Sequence, residues 1–112
     1  MELDSQQKII IETIDTASET ILSISHQIHE HPELAHEEKF ASGLLADTLE
    51  TFGFDVERGV AGMDTAFCAR KGKNPGPHIA ILAEYDALPG LGHACGHNLI
   101  ATSALGAGIG LG

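Results

Sequence analysis

Apolar residues near the start of the chain fall at Ile10, Ile14, Ala17, Ile21, Ile24 and Ile28, alternately four and three residues apart. That spacing lines one face of a helix running from about Asp4 to Glu30, with mostly Glu, Asp, Ser, Thr and Gln between the apolar positions. The stripe also keeps heptad spacing, but it runs for under three heptads, so a helix packed on a domain core is preferred over a free coiled coil. Pro32 ends or redirects the helix, because proline lacks an amide donor and clashes with the preceding turn. A second helix is predicted from Glu33 or Ala35 to Phe52, burying Phe40, Leu44, Leu45, Thr48, Leu49 and Phe52. Glu37 and Glu38 suit the positive end of its dipole, and Gly53 suits its C-terminal cap.

After Gly53 the period changes to two. F-D-V-E-R-G-V and T-A-F-C-A-R-K alternate on either side of A-G-M-D, the pattern of a β-hairpin. K-G-K-N-P-G-P, Lys71 to Pro77, reads as a turn. His78 to Asp86 is almost continuously apolar, as strands buried on both faces of an α/β sheet are. Ligands collect at the C-terminal edge of such strands. A small-residue helix is predicted beyond His97. Its glycines miss the dinucleotide-binding register, since Gly106 and Gly108 need a third glycine where Leu111 stands, and no strand directly precedes them. Gly106 and Gly110 instead form a G-x-x-x-G that permits close helix packing. The predicted class is α/β: two helices, a hairpin, a buried strand and the start of a further helix.

With 43% hydrophobic and 20% charged residues, the 112-residue chain has the composition of a folded domain rather than a disordered one. A net charge of -10 and only six Lys and Arg argue against nucleic acid or an anionic membrane as partner. M-E-L-D-S-Q-Q-K carries no basic region leading into an apolar core, so no secretory signal is read there. The weakly polar run from Leu99 to Gly112 is shorter than the ~20 residues a spanning helix needs. Two cysteines, Cys68 and Cys95, are too few for a disulfide framework and read as reduced thiols, which points to the cytoplasm.

One stretch concentrates chemistry: E-Y-D-A-L-P-G-L-G-H-A-C-G-H-N, Glu84 to Asn98. His93, Cys95 and His97 alternate along a loop, so two or three of them could converge on one point. Imidazole nitrogen and thiolate sulfur are the donors that Zn²⁺ prefers. Gly96 lets the backbone bend between the last two. Asp86 could accept the free N–H of a ligating imidazole and fix its tautomer. H-x-C-x-H is not a zinc-finger spacing, however. A buried cysteine flanked by solvated histidines remains the competing reading. His26, His29, His31 and His36 read as surface histidines, Glu37 and Glu38 as a solvated helix start, and Cys68 as a core thiol.

The run A-E-Y-D-A-L-P-G-L-G-H-A-C-G-H-N-L-I resembles the signature of the zinc-dependent amidohydrolase branch of peptidase family M20. H-E-H-P-E-L-A-H-E-E and the G-F-D-V-E-R-G-V and D-T-A-F-C-A-R-K-G blocks resemble the same family in the same order. E-Y-D-A-L-P, in place of the commoner D-M-D-A-L-P, is closest to its dipeptidase-like members. The resemblance implies a zinc-exopeptidase-like catalytic domain with Cys95 and His97 as ligands of a two-metal centre. Zn²⁺ is the expected ion, with Mn²⁺ or Co²⁺ as alternatives, and Asp86 is the orienting carboxylate behind the ligands.

The implied reaction is amide hydrolysis of N-acyl amino acids, dipeptides or p-aminobenzoyl-glutamate-like compounds by a cytoplasmic homodimer. Glu84 stands where the commoner signature has Asp, Asn98 replaces an Asp that many relatives carry, and His93 matches a position that is not usually a ligand. In the family the catalytic glutamate, the remaining Glu and His ligands and a lid or dimerisation domain lie further along. Residues 1–112 are therefore expected to be the N-terminal part of a metallohydrolase catalytic domain, inactive alone. The competing expectation is a non-catalytic metal- or partner-binding module using the isoleucine stripe as its interface.

Overall fold

The computed structural model describes residues 2–72 and 76–112. The expected first helix is divided in two, α1 (Ser5–Thr16) and α2 (Ser18–Glu30), meeting at Ala17. Just before the break Thr13 and Thr16 donate their hydroxyls to the carbonyls of Ile9 and Glu12 at 2.7 and 2.8 Å, a back-bonding that favours bending. The Ala17 amide is shared between the Thr13 and Ile14 carbonyls. At the other end of α1, Asp4 and Gln7 form a reciprocal capping box.

Helix α3 (Lys39–Thr51) starts later than the sequence predicts. His36 sits at φ 67, a left-handed conformation that a helix cannot include. The first turn of α3 is capped from a distance: the two carboxylate oxygens of Glu33 accept the amides of Phe40 and Ala41, each at 2.9 Å. Glu38, adjacent to the helix, makes no such bond to it. Its carboxylate, expected in solvent, is half-buried and accepts the Thr65 hydroxyl. Gly53 does end the helix, in a Schellman arrangement. At φ 88 it donates to the Glu50 carbonyl at 3.0 Å, while Phe54 donates to that of Leu49 at 3.0 Å.

The hairpin forms as predicted, β1 (Asp55–Arg58) antiparallel to β2 (Phe67–Arg70), with Val56 opposite Ala69. The turn expected over Lys71 to Pro77 includes residues 73–75, which lie outside the described set. The predicted buried strand over His78 to Asp86 is a correction. This segment pairs with no strand among the described residues, and Ile79 and Leu82 are 80% and 90% exposed. The described sheet has two strands, β1 and β2, bonded to each other, and neither bonds this segment.

Helix α4 (His97–Leu111) completes the core. Its Ala101, Leu105 and Ile109 pack with Ala17, Ile24 and Ile28 and with Ala41, Leu45 and Leu49 of α3. Ile28 is fully buried, worth about 1.5–3 kcal/mol over leaving it in water. The glycine spacing allows the approach that the sequence predicts. A Cβ on Gly106 would lie 3.5 Å from Ile21 Cδ1, and one on Gly110 only 2.8 Å from Ile14 Cδ1. The isoleucine stripe is thus occupied by α4, and the partner-binding module that relied on it is not supported.

Candidate functional site

The loop after Asp86 is shaped by backbone geometry. Leu88 and Gly92 exchange backbone hydrogen bonds across the Pro89–Gly90 turn, and Gly92, at φ 64, approaches Pro32. Gly96, at φ 78, turns the chain into α4, so that His97 becomes the first residue of that helix. The chain thereby folds back to bring His97 against residues 84 and 86.

His97 Nδ1 lies 2.8 Å from Asp86 Oδ1 and 2.9 Å from the Asp86 carbonyl oxygen. Both are acceptors, so Nδ1 carries a proton and donates to both; in the neutral imidazole the lone pair is then on Nε2. On that side Glu84 Oε1 stands 3.6 Å away, too far for a hydrogen bond. His97 is mostly buried, whereas the Glu84 side chain is about half exposed. Cys95 is an exposed free thiol one glycine before His97. An imidazole whose Nδ1–H is held by a carboxylate, with a thiol two residues before it in sequence, has the donor types that suit a borderline-soft divalent ion. Among the described residues no three His, Cys, Asp or Glu side chains gather into a metal-holding group.

His93 is not the solvated histidine that the competing sequence reading expects. It is 8% exposed, and among the described residues neither ring nitrogen finds a hydrogen-bond partner. Burial pushes its pKa down, and the neighbouring His29 and His97 add to this. Asn98 is a packing residue here, donating from the start of α4 to the Ser25 hydroxyl of α2 at 3.3 Å. His31 stacks on Phe40 at 4.2 Å.

Two residues that sequence reasoning misses hold the segment that carries the carboxylates. Tyr85 stacks on Phe67 with ring centroids 6.2 Å apart and donates its hydroxyl to the Thr65 carbonyl. Burial, with Glu38 adding negative charge, pushes the phenol up to about 12, so it remains a donor. Glu33 accepts the Ala87 amide on its carbonyl at 2.7 Å, in addition to capping α3. The A-E-Y-D-A alternation carries the signal for Tyr85; no local pattern announces Glu33.

No protein-family model matches the chain. Among curated proteins it is 38% identical to one of the subunits of p-aminobenzoyl-glutamate hydrolase from Escherichia coli K12, over 91% of this chain and 24% of that protein. It is 41% identical to Xaa-Arg dipeptidase of Mus musculus, over 98% of this chain and 28% of that protein. With hippurate hydrolase of Campylobacter jejuni the identity is 33%, over 87% and 28%. All three names are those of hydrolases or peptidases. The chain belongs to the M20 family of amidohydrolases. It spans about a quarter of the length of the curated relatives it matches.

Proposed function

We propose that this chain is the N-terminal part of the catalytic domain of a metal-dependent amidohydrolase. Its substrates would be N-acyl amino acids, dipeptides or p-aminobenzoyl-glutamate-like compounds with a free carboxylate. The observation that carries the reading is His97. Asp86 holds its Nδ1–H through two oxygens and so turns Nε2, the nitrogen free to ligate in the neutral tautomer, toward Glu84, in a chain related to named amide-bond hydrolases.

Cys95 and His97 would hold the metal, Zn²⁺ first and Mn²⁺ or Co²⁺ as alternatives, within a two-ion centre. Bound ions of this kind lower the pKa of a water and polarise the amide carbonyl. The chain's own residues supply positioning. Asp86 fixes the tautomer and ring orientation of His97, and Glu84 adds negative charge on the Nε2 side. The general-base glutamate and the remaining ligands would come from beyond residue 112, as would a domain for homodimer formation. A cytoplasmic location belongs to the same reading. Among the described residues no helix is long and apolar enough to cross a membrane.

The test is made on the complete protein. Metal content and hydrolysis of p-aminobenzoyl-glutamate, Xaa-Arg dipeptides and hippurate are measured for wild type, Cys95→Ser and His97→Ala. Wild type is expected to bind metal and cleave at least one of these substrates, and both variants to lose metal. Unchanged metal stoichiometry in both variants refutes the ligand assignment.

A further inference from the structure

Strands normally keep register through ladder hydrogen bonds, and a slip of one residue sends every side chain to the opposite face. The segment ending at Asp86 has no ladder among the described residues, yet two of its side chains address the two nitrogens of one imidazole. Glu84 and Asp86 reach the His97 ring, while Tyr85 between them reaches the hairpin, the alternation of successive side chains to opposite sides. Ala87 is 4% exposed and is tied by its backbone amide to Glu33. Tyr85 is tied by its side chain, through the stack on Phe67 and the bond to the Thr65 carbonyl. Thr65 is buried and donates its own hydroxyl to Glu38 at 3.2 Å, which anchors the receiving end to the start of α3.

We infer that Tyr85 is a positioning residue of this site: by locking its ring and hydroxyl onto the hairpin, it turns Glu84 and Asp86 toward His97. The role rests on the reading of His97 as a metal ligand. Tyr85 acts through the Asp86–His97 contact, without touching metal or substrate itself.

The test measures Zn²⁺ affinity of the complete protein by chelator competition. Wild type, Tyr85→Phe, Asp86→Asn and the double variant are compared, with Leu49→Ala as a control for general destabilisation. Tyr85→Phe, which removes the hydroxyl alone, is expected to weaken Zn²⁺ binding about tenfold, the lower end of losses seen for outer partners of metal ligands. In the Asp86→Asn background the same change is expected to have no further effect, because the contact it acts through is already altered. Leu49→Ala is expected to lower the melting temperature and bind Zn²⁺ as wild type does. Undiminished affinity in Tyr85→Phe, an equal loss in both Asp86 backgrounds, or a parallel loss in Leu49→Ala each overturns the role while leaving the metal site in place. A wild type that binds no Zn²⁺ overturns the metal-site reading and this role together.

Discussion

Gly106 and Gly110 lie on the face of α4 that meets the isoleucine stripe, yet alanine at the two positions should move stability in opposite directions. At Gly106 the added methyl meets Ile21 Cδ1 at 3.5 Å, an ordinary van der Waals contact. Gly106→Ala therefore gains from reduced backbone freedom in the unfolded chain, and should stabilise by about 0.5–1 kcal/mol. At Gly110 the methyl would fall 2.8 and 2.9 Å from Ile14 Cδ1 and Cγ1 and 3.2 Å from Ile10 Cγ2. Three atoms on two side chains must then shift at once. Overpacking of this kind costs roughly 1–3 kcal/mol. Gly110 also sits in the last turn of α4, where the gain in helix propensity is smallest. The net expectation for Gly110→Ala is a loss of roughly 1–2 kcal/mol. Urea denaturation followed by far-ultraviolet circular dichroism reads both variants as shifts in midpoint at constant slope. Ile14→Val removes Cδ1, the nearest obstructing atom, and should recover part of the Gly110→Ala loss. If Gly110→Ala proves as stabilising as Gly106→Ala, the close approach of α4 to α1 is refuted.

Other outcomes are equally direct. Tyr85 is the only tyrosine and there is no tryptophan, so its ionisation can be followed by ultraviolet absorbance without interference. The midpoint is expected near 12 in the folded protein and near the ordinary 10.0 in denaturant. Because the folded state holds this proton more tightly, the associated stability is complete below pH 10 and is lost as pH rises toward 12. Glu33→Gln puts an amide group where one of two backbone N–H donors needs an acceptor, and should cost about 1–2 kcal/mol in thermal or urea unfolding. His93→Leu removes two buried nitrogens without partners. In this 112-residue chain it should raise stability by about 1 kcal/mol; a clear loss would mean that the imidazole is satisfied.

Much of this architecture can be read from periodicity alone. The isoleucine spacing, the alternation on either side of A-G-M-D and the G-x-x-x-G of α4 each report a local repeat that survives in the fold. What escapes has other causes. The break at Ala17 falls inside an uninterrupted apolar stripe, where periodicity carries no sign of it, and the late start of α3 comes from one left-handed residue and a carboxylate several residues upstream. The unpaired His78–Asp86 segment has the composition of a buried strand, because composition records the surroundings a strand is suited to and not the partners within reach. At the candidate site, spacing picks out His93, Cys95 and His97 together, and the resemblance singles out His97 with Asp86 behind it, a pair that the fold brings into contact. Cys95 is picked out by the same spacing and is exposed. Glu33 cannot be found that way, and for Tyr85 the alternation gives the side of the chain but not the partner, since their work depends on Ala87 and Thr65, distant in sequence.

The unpaired segment also sets how this chain behaves in solution at concentration. A segment with no strand partner among the described residues and with Ile79 and Leu82 in water offers apolar surface to a second copy, and unpaired backbone of that kind is where aggregates can start. The opposing force is the net charge of -10, which keeps copies apart as long as it is unscreened. At physiological ionic strength that repulsion reaches only ~8 Å. Light scattering is therefore expected to rise as salt is added, and to rise less when Leu82 is replaced by lysine.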